Sequence, residues 1–375
     1  MIYSTVCPYF PEEEIPKILD KIKDVLQNKE MLTMGRYVKE FEKKFSNYIG
    51  TKYGIATNSC TSALETALRC INVRNREVIV PTQTFIATGS SVVNAGGKVV
   101  FADVNPNNYN ISLKSIKEKI TNKTRAVIVV HFAGLITEEI FEIKELCKEN
   151  NIYLIEDCAH AHGASINGIK AGNIGDIGCF SFYATKIMTT GEGGMITTND
   201  KELYHKMASI RNRGIDTGSD KEIYVNIGSN YRMTEICAIL GLSQLKYLDK
   251  FIKHRNKIAK IYNETFEKLE EKNLVEIIKY SKNITHSYWR YVLKLSEKID
   301  RKKLQGILLK KRIKIDWPYD PPLHLQPVFR KIYKTCEGLL PIAEKEMKRH
   351  ICIPIHLKIN ENDAVYISET IKKYY

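Results

Sequence analysis

Between residues 54 and 200 the chain alternates short β-rich apolar runs with helical stretches, and this alternation leaves few architectures open. Val78-Ile79-Val80, Lys98-Val99-Val100-Phe101, Ala126-Val127-Ile128-Val129-Val130 and Ile152-Tyr153-Leu154-Ile155 read as buried strands, and Met195-Ile196-Thr197-Thr198 as another. Helix-like stretches lie between them near 61–72, 86–95, 112–120 and 138–150. Strands apolar on both faces, separated by helices, predict an α/β domain with a largely parallel sheet. In such sheets ligands collect beyond the strand C-termini. Asp157 and His131 stand just past strand ends, where chemistry is expected.

Upstream, Ile15, Ile18, Leu19, Ile22, Val25 and Leu26 recur at helical spacing and predict a helix over 12–28. A second helix over 37–48 is expected to bury Val38, Phe41 and Phe45. Helices are also predicted at 201–212 and 233–256. Beyond them, strand-like Tyr291-Val292-Leu293 and Ile313-Lys314-Ile315 sit among helical stretches. A chain of 375 residues is long for one core. It divides here into a large domain, 1–250, and a smaller α+β domain, 251–375, with the first ~30 residues free to pack elsewhere.

Composition narrows the function classes. No apolar run approaches the ~20 residues that span a bilayer. The N-terminus lacks a basic region followed by an apolar core, so no membrane association is expected and a cytoplasmic location follows by default. The nine cysteines are scattered without a CxxC pair, which argues against a disulfide framework and against a zinc site; no metal is expected. The net charge of +14 comes from lysines spread along the chain, and clusters such as Lys310-Lys311-Arg312 are short. No nucleic-acid module is visible. A positive field also draws in anionic substrates.

One constellation carries chemistry. Lys186 follows Ser181-Phe182-Tyr183-Ala184-Thr185 and precedes Gly191-Glu192-Gly193-Gly194. An apolar entry and a tight glycine exit suit a lysine held inside a site. Asp157, directly after an apolar run, is expensive to bury without a positive partner. A lysine amine and a buried carboxylate are the minimum set for pyridoxal 5'-phosphate (PLP): the amine holds it as a Schiff base, and the carboxylate pairs with its pyridinium nitrogen. Ser62 and Glu65 have capping-box spacing, marking a helix start near Cys60 and Thr61 whose free N–H groups could hold a phosphate. The Ser181 hydroxyl could donate to the same phosphate. Phe85, after a strand end, could stack on a pyridine face. Each feature alone has an ordinary alternative: a surface lysine, a strand-end turn, a capped helix, a core aromatic.

Together these motifs resemble the sugar aminotransferases of the DegT/StrS type, within the fold-type-I PLP-dependent enzymes. The resemblance runs through Ser59-Cys60-Thr61-Ser62-Ala63-Leu64, Pro81-Thr82-Gln83-Thr84-Phe85, His131-Phe132-Ala133-Gly134, Glu156-Asp157 to His160, and Gly175-Asp176 to Gly194. It continues through Asn230-Tyr231-Arg232-Met233, Pro322-Leu323-His324 and Pro354-Ile355-His356. It implies that Lys186 anchors the cofactor and carries the proton, that Asp157 pairs with the ring nitrogen, and that His160 lies near the ring oxygen. Phe85 would stack on the ring. Ser181 and the Cys60–Thr61 backbone would hold the phosphate. Asn230 would reach the cofactor phosphate of a neighbouring subunit, implying a homodimer with shared active sites. Tyr183, Arg213 and His324 would help shape the substrate pocket.

Cys60 stands where the family commonly has glycine, and Arg213-Gly214 and Trp317-Pro318-Tyr319-Asp320 also depart from its pattern. The implied reaction is transamination from L-glutamate or L-glutamine to a nucleotide-linked 3- or 4-keto sugar for polysaccharide or glycan biosynthesis. The alternatives are a small phosphorylated ketone or cyclitol ketone as acceptor, a PLP sugar dehydratase, and a PLP-binding regulator without turnover. Related dehydratases carry histidine in place of the lysine.

Overall fold

The apolar runs fold into the central sheet of this computed structural model, which describes residues 2–375. In chain order the first elements are α1 (Ile15–Gln27), α2 (Arg36–Ile49), β1 (Tyr53–Thr57), α3 (Cys60–Cys70), β2 (Glu77–Pro81), α4 (Ile86–Asn94) and β3 (Lys98–Ala102). Then come α5 (Leu113–Lys119), β4 (Thr124–Val130), α6 (Ile140–Glu149), β5 (Tyr153–Asp157), the short β6 (Ser165–Ile166) and β7 (Ile169–Lys170), β8 (Ile177–Ser181) and β9 (Gly194–Thr198). The seven-stranded order is β1-β9-β8-β5-β4-β2-β3. β3, β2, β4, β5 and β8 run parallel, β9 pairs antiparallel with β8, and the edge strand β1, antiparallel to β9, runs in the common direction again. Every expected strand of this region is present, in a sheet that is mostly parallel. Apolar patterning passed over two strands of this sheet: β1, where Gly54 breaks a short run, and β8, where Gly178 does.

Helices cover both faces. Val38, Phe41 and Phe45 of α2 are buried together, as their spacing predicts, and Phe45 meets Phe180 edge-on at 4.9 Å. α2 starts at Gly35, which has no capping side chain. Glu235 supplies the cap from elsewhere: its carboxylate accepts the N–H groups of Gly35, Tyr37 and Val38 at 2.8–3.1 Å. A side chain at position 35 would run into that carboxylate. The apolar stripe of α1 is only half used: Ile18 and Val25 are buried, whereas Ile15, Leu19 and Leu26 are exposed.

α7 (Lys201–Arg211) leads to α8 (Glu235–Glu270), 36 residues long. The boundary expected near 250 falls inside this helix. Its second half packs with β10 (Val275–Ile277), β12 (Tyr291–Leu295) and β13 (His350–Ile353), a separate three-stranded sheet. Between β10 and β12 comes β11 (Ile284–Thr285), which pairs with β6. After β12 come α9 (Arg301–Lys310), α10 (Pro327–Tyr333), α11 (Pro341–Met347) and, after β13, α12 (Glu361–Lys372). The strand expected at 313–315 is not one. Ile313 makes a single bridge to Tyr3, with Tyr3 N–H donating to Arg312 at 2.8 Å. The N-terminal residues therefore join the C-terminal body, while Glu14 ties the start of α1 to α8 through Lys246 at 2.7 Å.

Candidate active site

A cavity of about 530 Å³ opens beyond the C-terminal ends of the parallel strands, lined among others by Cys60, Thr61, Phe85, Asp157, His160, Ser181, Tyr183 and Lys186. These were all singled out from sequence, and the fold brings them together from four segments that follow β1, β2, β5 and β8. Parallel strands deliver their following loops to one sheet edge, which accounts for the convergence.

Asp157 ends β5 with its carboxylate buried. Thr88 donates to Oδ2 at 2.8 Å, with Thr84 behind it at 2.7 Å, and Ala159 N–H donates to Oδ1 at 3.1 Å. Among the described residues no cation lies within ion-pair distance. Burial raises the carboxyl above its usual range, against the pull of Thr88, the Ala159 N–H and Lys186. Lys186 sits on the β8–β9 connection. That loop is held by a Tyr183–Gly191 bridge and by the Trp289 indole N–H donating to the Thr185 carbonyl at 2.9 Å. Lys186 Nζ lies 4.4 Å from the centre of the Trp289 ring. Loss of water around the ammonium brings it down to about 8, opposed by Asp157 and Cys60 and assisted by Arg290.

The start of α3 is a second feature of the cavity. Its cap is Ser59, in a reciprocal box with Ser62; the expected Ser62–Glu65 pairing is corrected, since Glu65 instead accepts from Tyr231 at 2.8 Å. The first-turn N–H groups of Cys60 and Thr61 have no helical carbonyl to bond. Gly194 packs against them: a Cβ there would lie 2.5 Å from Ser59 backbone atoms. Ser181, buried at the end of β8, faces the same space. Phe85 is 56% exposed at the rim, 6.5 Å from the Tyr319 ring.

His160 is fixed on two sides. Its ring stacks on Trp289 at 3.8 Å and 6°, and Nε2 lies 3.0 Å from the Tyr319 hydroxyl. Trp289, Tyr319 and Thr88 were not chosen from sequence. Tyr319 lies in a stretch flagged only as departing from family pattern, and Trp289 precedes a strand far along the chain.

Three expected residues lie elsewhere. His324 is fully buried with both ring nitrogens used, Nδ1 by Thr82 at 2.6 Å and Nε2 by Glu344 at 3.0 Å, so neither is left for a substrate. Arg213 pairs with Glu222 at 3.2 Å on an exposed loop. Asn230 is exposed and bridges Asn212, outside the cavity. His131 also turns away: it meets Glu156 at 2.9 Å on the opposite face of β5, where the carboxylate further accepts Gly172, Ile174 and Gly175 N–H groups.

The family model for DegT/DnrJ/EryC1/StrS aminotransferases matches residues 12–372. A GDP-perosamine synthase of Escherichia coli O157:H7 is 34% identical, with 98% of each chain covered. The aminotransferase of Psychrobacter cryohalolentis superposes with a TM-score of 0.91 at 30% identity, covering 99% of this chain and 98% of that one. A Streptococcus pneumoniae protein solved in its PLP form gives 0.90 at 27% identity, covering 100% and 98%.

Proposed function

The chain belongs to the DegT/DnrJ/EryC1/StrS aminotransferase family, and from that premise we propose that it moves an amino group from L-glutamate or L-glutamine to a nucleotide-linked 3- or 4-keto sugar. It is a transaminase, and its cofactor is pyridoxal 5'-phosphate. The residues of the cavity fit that group. A buried carboxylate without a cationic partner among the described residues suits a pyridinium N–H, and the close Gly194–Ser59 approach leaves first-turn N–H groups of α3 open to a phosphate. When bound, the cofactor supplies an electron sink for a carbanion next to nitrogen.

The side chains divide the remaining work. Asp157 would balance the ring nitrogen's charge, with Thr88 and Ala159 N–H fixing the carboxylate plane. Ser181 and the Cys60 and Thr61 N–H groups would hold the phosphate. Lys186, with its ammonium drawn down to about 8, has enough neutral amine near neutral pH to take a proton at Nζ from a substrate carbon and return it. Trp289 stands beside that amine and closes one wall against water. Phe85, at the rim of the same cavity, would stack on the cofactor ring, and Tyr183 and Tyr319 would meet the sugar at the mouth.

The observation that carries this reading is Lys186 and unpaired Asp157 in one cavity beyond the parallel strands. Keto-sugar acceptance rests on relatives such as the GDP-perosamine synthase, and polysaccharide or glycan assembly would use the product. Arg213 and Asn230 share one exposed segment, joined where Arg213 N–H donates to Ser229 at 2.9 Å. We assign both to the cavity of a second copy in a homodimer. The test loads the holoenzyme with glutamate or glutamine and then offers GDP- and UDP-linked 4-keto sugars beside small keto phosphates and cyclitol ketones. Amine formation on the nucleotide-linked sugars supports the proposal; turnover confined to the small ketones replaces it.

A further inference from the structure

A second cavity, of about 460 Å³, lies at the opposite edge of the sheet from Lys186. It is lined by Arg125 near the start of β4, Lys144 and Lys148 of α6, Asn151 just after that helix, Tyr153 at the start of β5, and Asp176 just before β8. One strand joins the two cavities: β5 begins here with Tyr153 and ends at Asp157, about 13 Å away for five extended residues.

Arg125 is the extra residue of a bulge. Glu77 of β2 pairs with Thr124 and Val78 with Ala126, so Arg125 has no residue opposite it. Bulges re-aim side chains. Here the guanidinium lies against the Tyr153 ring, 4.8 Å from its centre, while Nε donates to the Ile71 carbonyl at 2.9 Å. These two contacts fix its plane. Both terminal amino groups are left without a protein partner among the described residues, and neither is sealed from solvent. A guanidinium fork held in this way needs little further ordering to bind an oxyanion with two parallel hydrogen bonds.

The facing wall adds charge. Lys144 and Lys148 stand one turn apart on α6. Among the described residues Lys144 has no carboxylate within ion-pair distance, and Lys148 has only exposed Glu145, at 3.9 Å. Asp176 is the one carboxylate of the lining, and its Oδ2 already accepts the Leu154 N–H at 2.8 Å. Three cations against one carboxylate favour an anion of more than one charge. A phosphate monoester carries close to two at neutral pH, with three acceptor oxygens to share between the fork and a lysine. The cavity is larger than a phosphate ion. Asp176 and Asn151 are suited to hydroxyl groups on whatever the phosphate is attached to.

We propose that this cavity binds a small phosphorylated, hydroxyl-bearing compound, its phosphate held by the Arg125 fork and the two lysines. The site is distinct from the active site, and the inference does not rest on the cofactor assignment.

Calorimetry on the cofactor-loaded protein tests it, with glucose 6-phosphate as the probe. Binding tighter than about 1 mM is expected, with none for glucose at the same concentrations. Inorganic phosphate should compete with the probe. Arg125→Lys keeps the charge and loses the fork, and Lys144→Ala alters an exposed residue. Each should weaken the probe at least ~10-fold and leave transamination unchanged. Native protein that takes up no probe, that binds glucose equally well, or that matches both variants in affinity overturns the site. None of these results touches the transaminase assignment.

Discussion

At the scale of single residues, Lys186 and Asp157 should fail in different ways. In the roles proposed for it, Lys186 is anchor and proton carrier together, so in Lys186→Ala turnover should fall by at least ~100-fold, the lower end of what positioned acid–base groups supply. Single-turnover amine transfer within ~10-fold of native, about 1.4 kcal/mol in barrier, is the result that rejects the role. Asp157→Asn should keep the fold and still bind cofactor, yet slow the glutamate half-reaction severely, because an amide cannot balance a ring cation; an unchanged rate reduces Asp157 to a strand-end residue. The pH dependence of Lys186 has a definite sign. Only the neutral amine attacks an aldehyde, so capture by cofactor-free protein should rise through about pH 8, not near the ~10.4 of free lysine. Between those values the unfolded chain holds more protons than the folded one, so the destabilisation from this lysine fades as pH rises through the window. Reductive trapping across pH 6–11 in steps of about one unit reads the midpoint. Lys186 and Asp157 were legible because loop glycines and an apolar run mark them locally. Trp289 and Tyr319 were not, since their meaning comes only from contacts with residues more than a hundred positions away.

Elements follow the same division. β2 to β5 could be read directly, since strands buried on both faces are continuous apolar runs. β8 could not, and neither could the cap of α2, whose donors are met by Glu235 two hundred residues away. His324 was misplaced for a related reason: the resemblance put it near the substrate, and only the tertiary contacts of Thr82 and Glu344 on its two nitrogens show otherwise. The join between β9 and α3 is the element-level feature most open to test. Gly194→Ala puts a methyl group against the Ser59 backbone and must push the strand and helix start apart. Overpacking of this kind costs about 1–3 kcal/mol. We expect a lower melting temperature together with at least ~10-fold weaker cofactor retention, read by equilibrium dialysis; melting loss without retention loss would detach the α3 terminus from phosphate binding.

For the whole molecule the decisive question is whether one chain suffices. Asn230 and Arg213 stand outside their own cavity, and exposed Ile15, Leu19, Leu26 and Ile227 leave apolar surface uncovered. If Asn230 completes a neighbour's site, Asn230→Ala should weaken cofactor retention. Mixing it with Lys186→Ala after subunit exchange should then restore activity, because one site in each heterodimer escapes both lesions. Fully active monomers at low concentration, or exchanged heterodimers without recovery, reject shared sites. The unbroken run of α8 bears on a different matter, the making of chimeras. A splice at 250 would cut a 36-residue helix in mid-course, leaving the N-terminal fragment without the turns that carry Tyr262 and Phe266, and the C-terminal fragment without a capped start. Recombination with relatives should therefore take α8 whole and place its crossover beyond Glu270, in the turn that leads to β10.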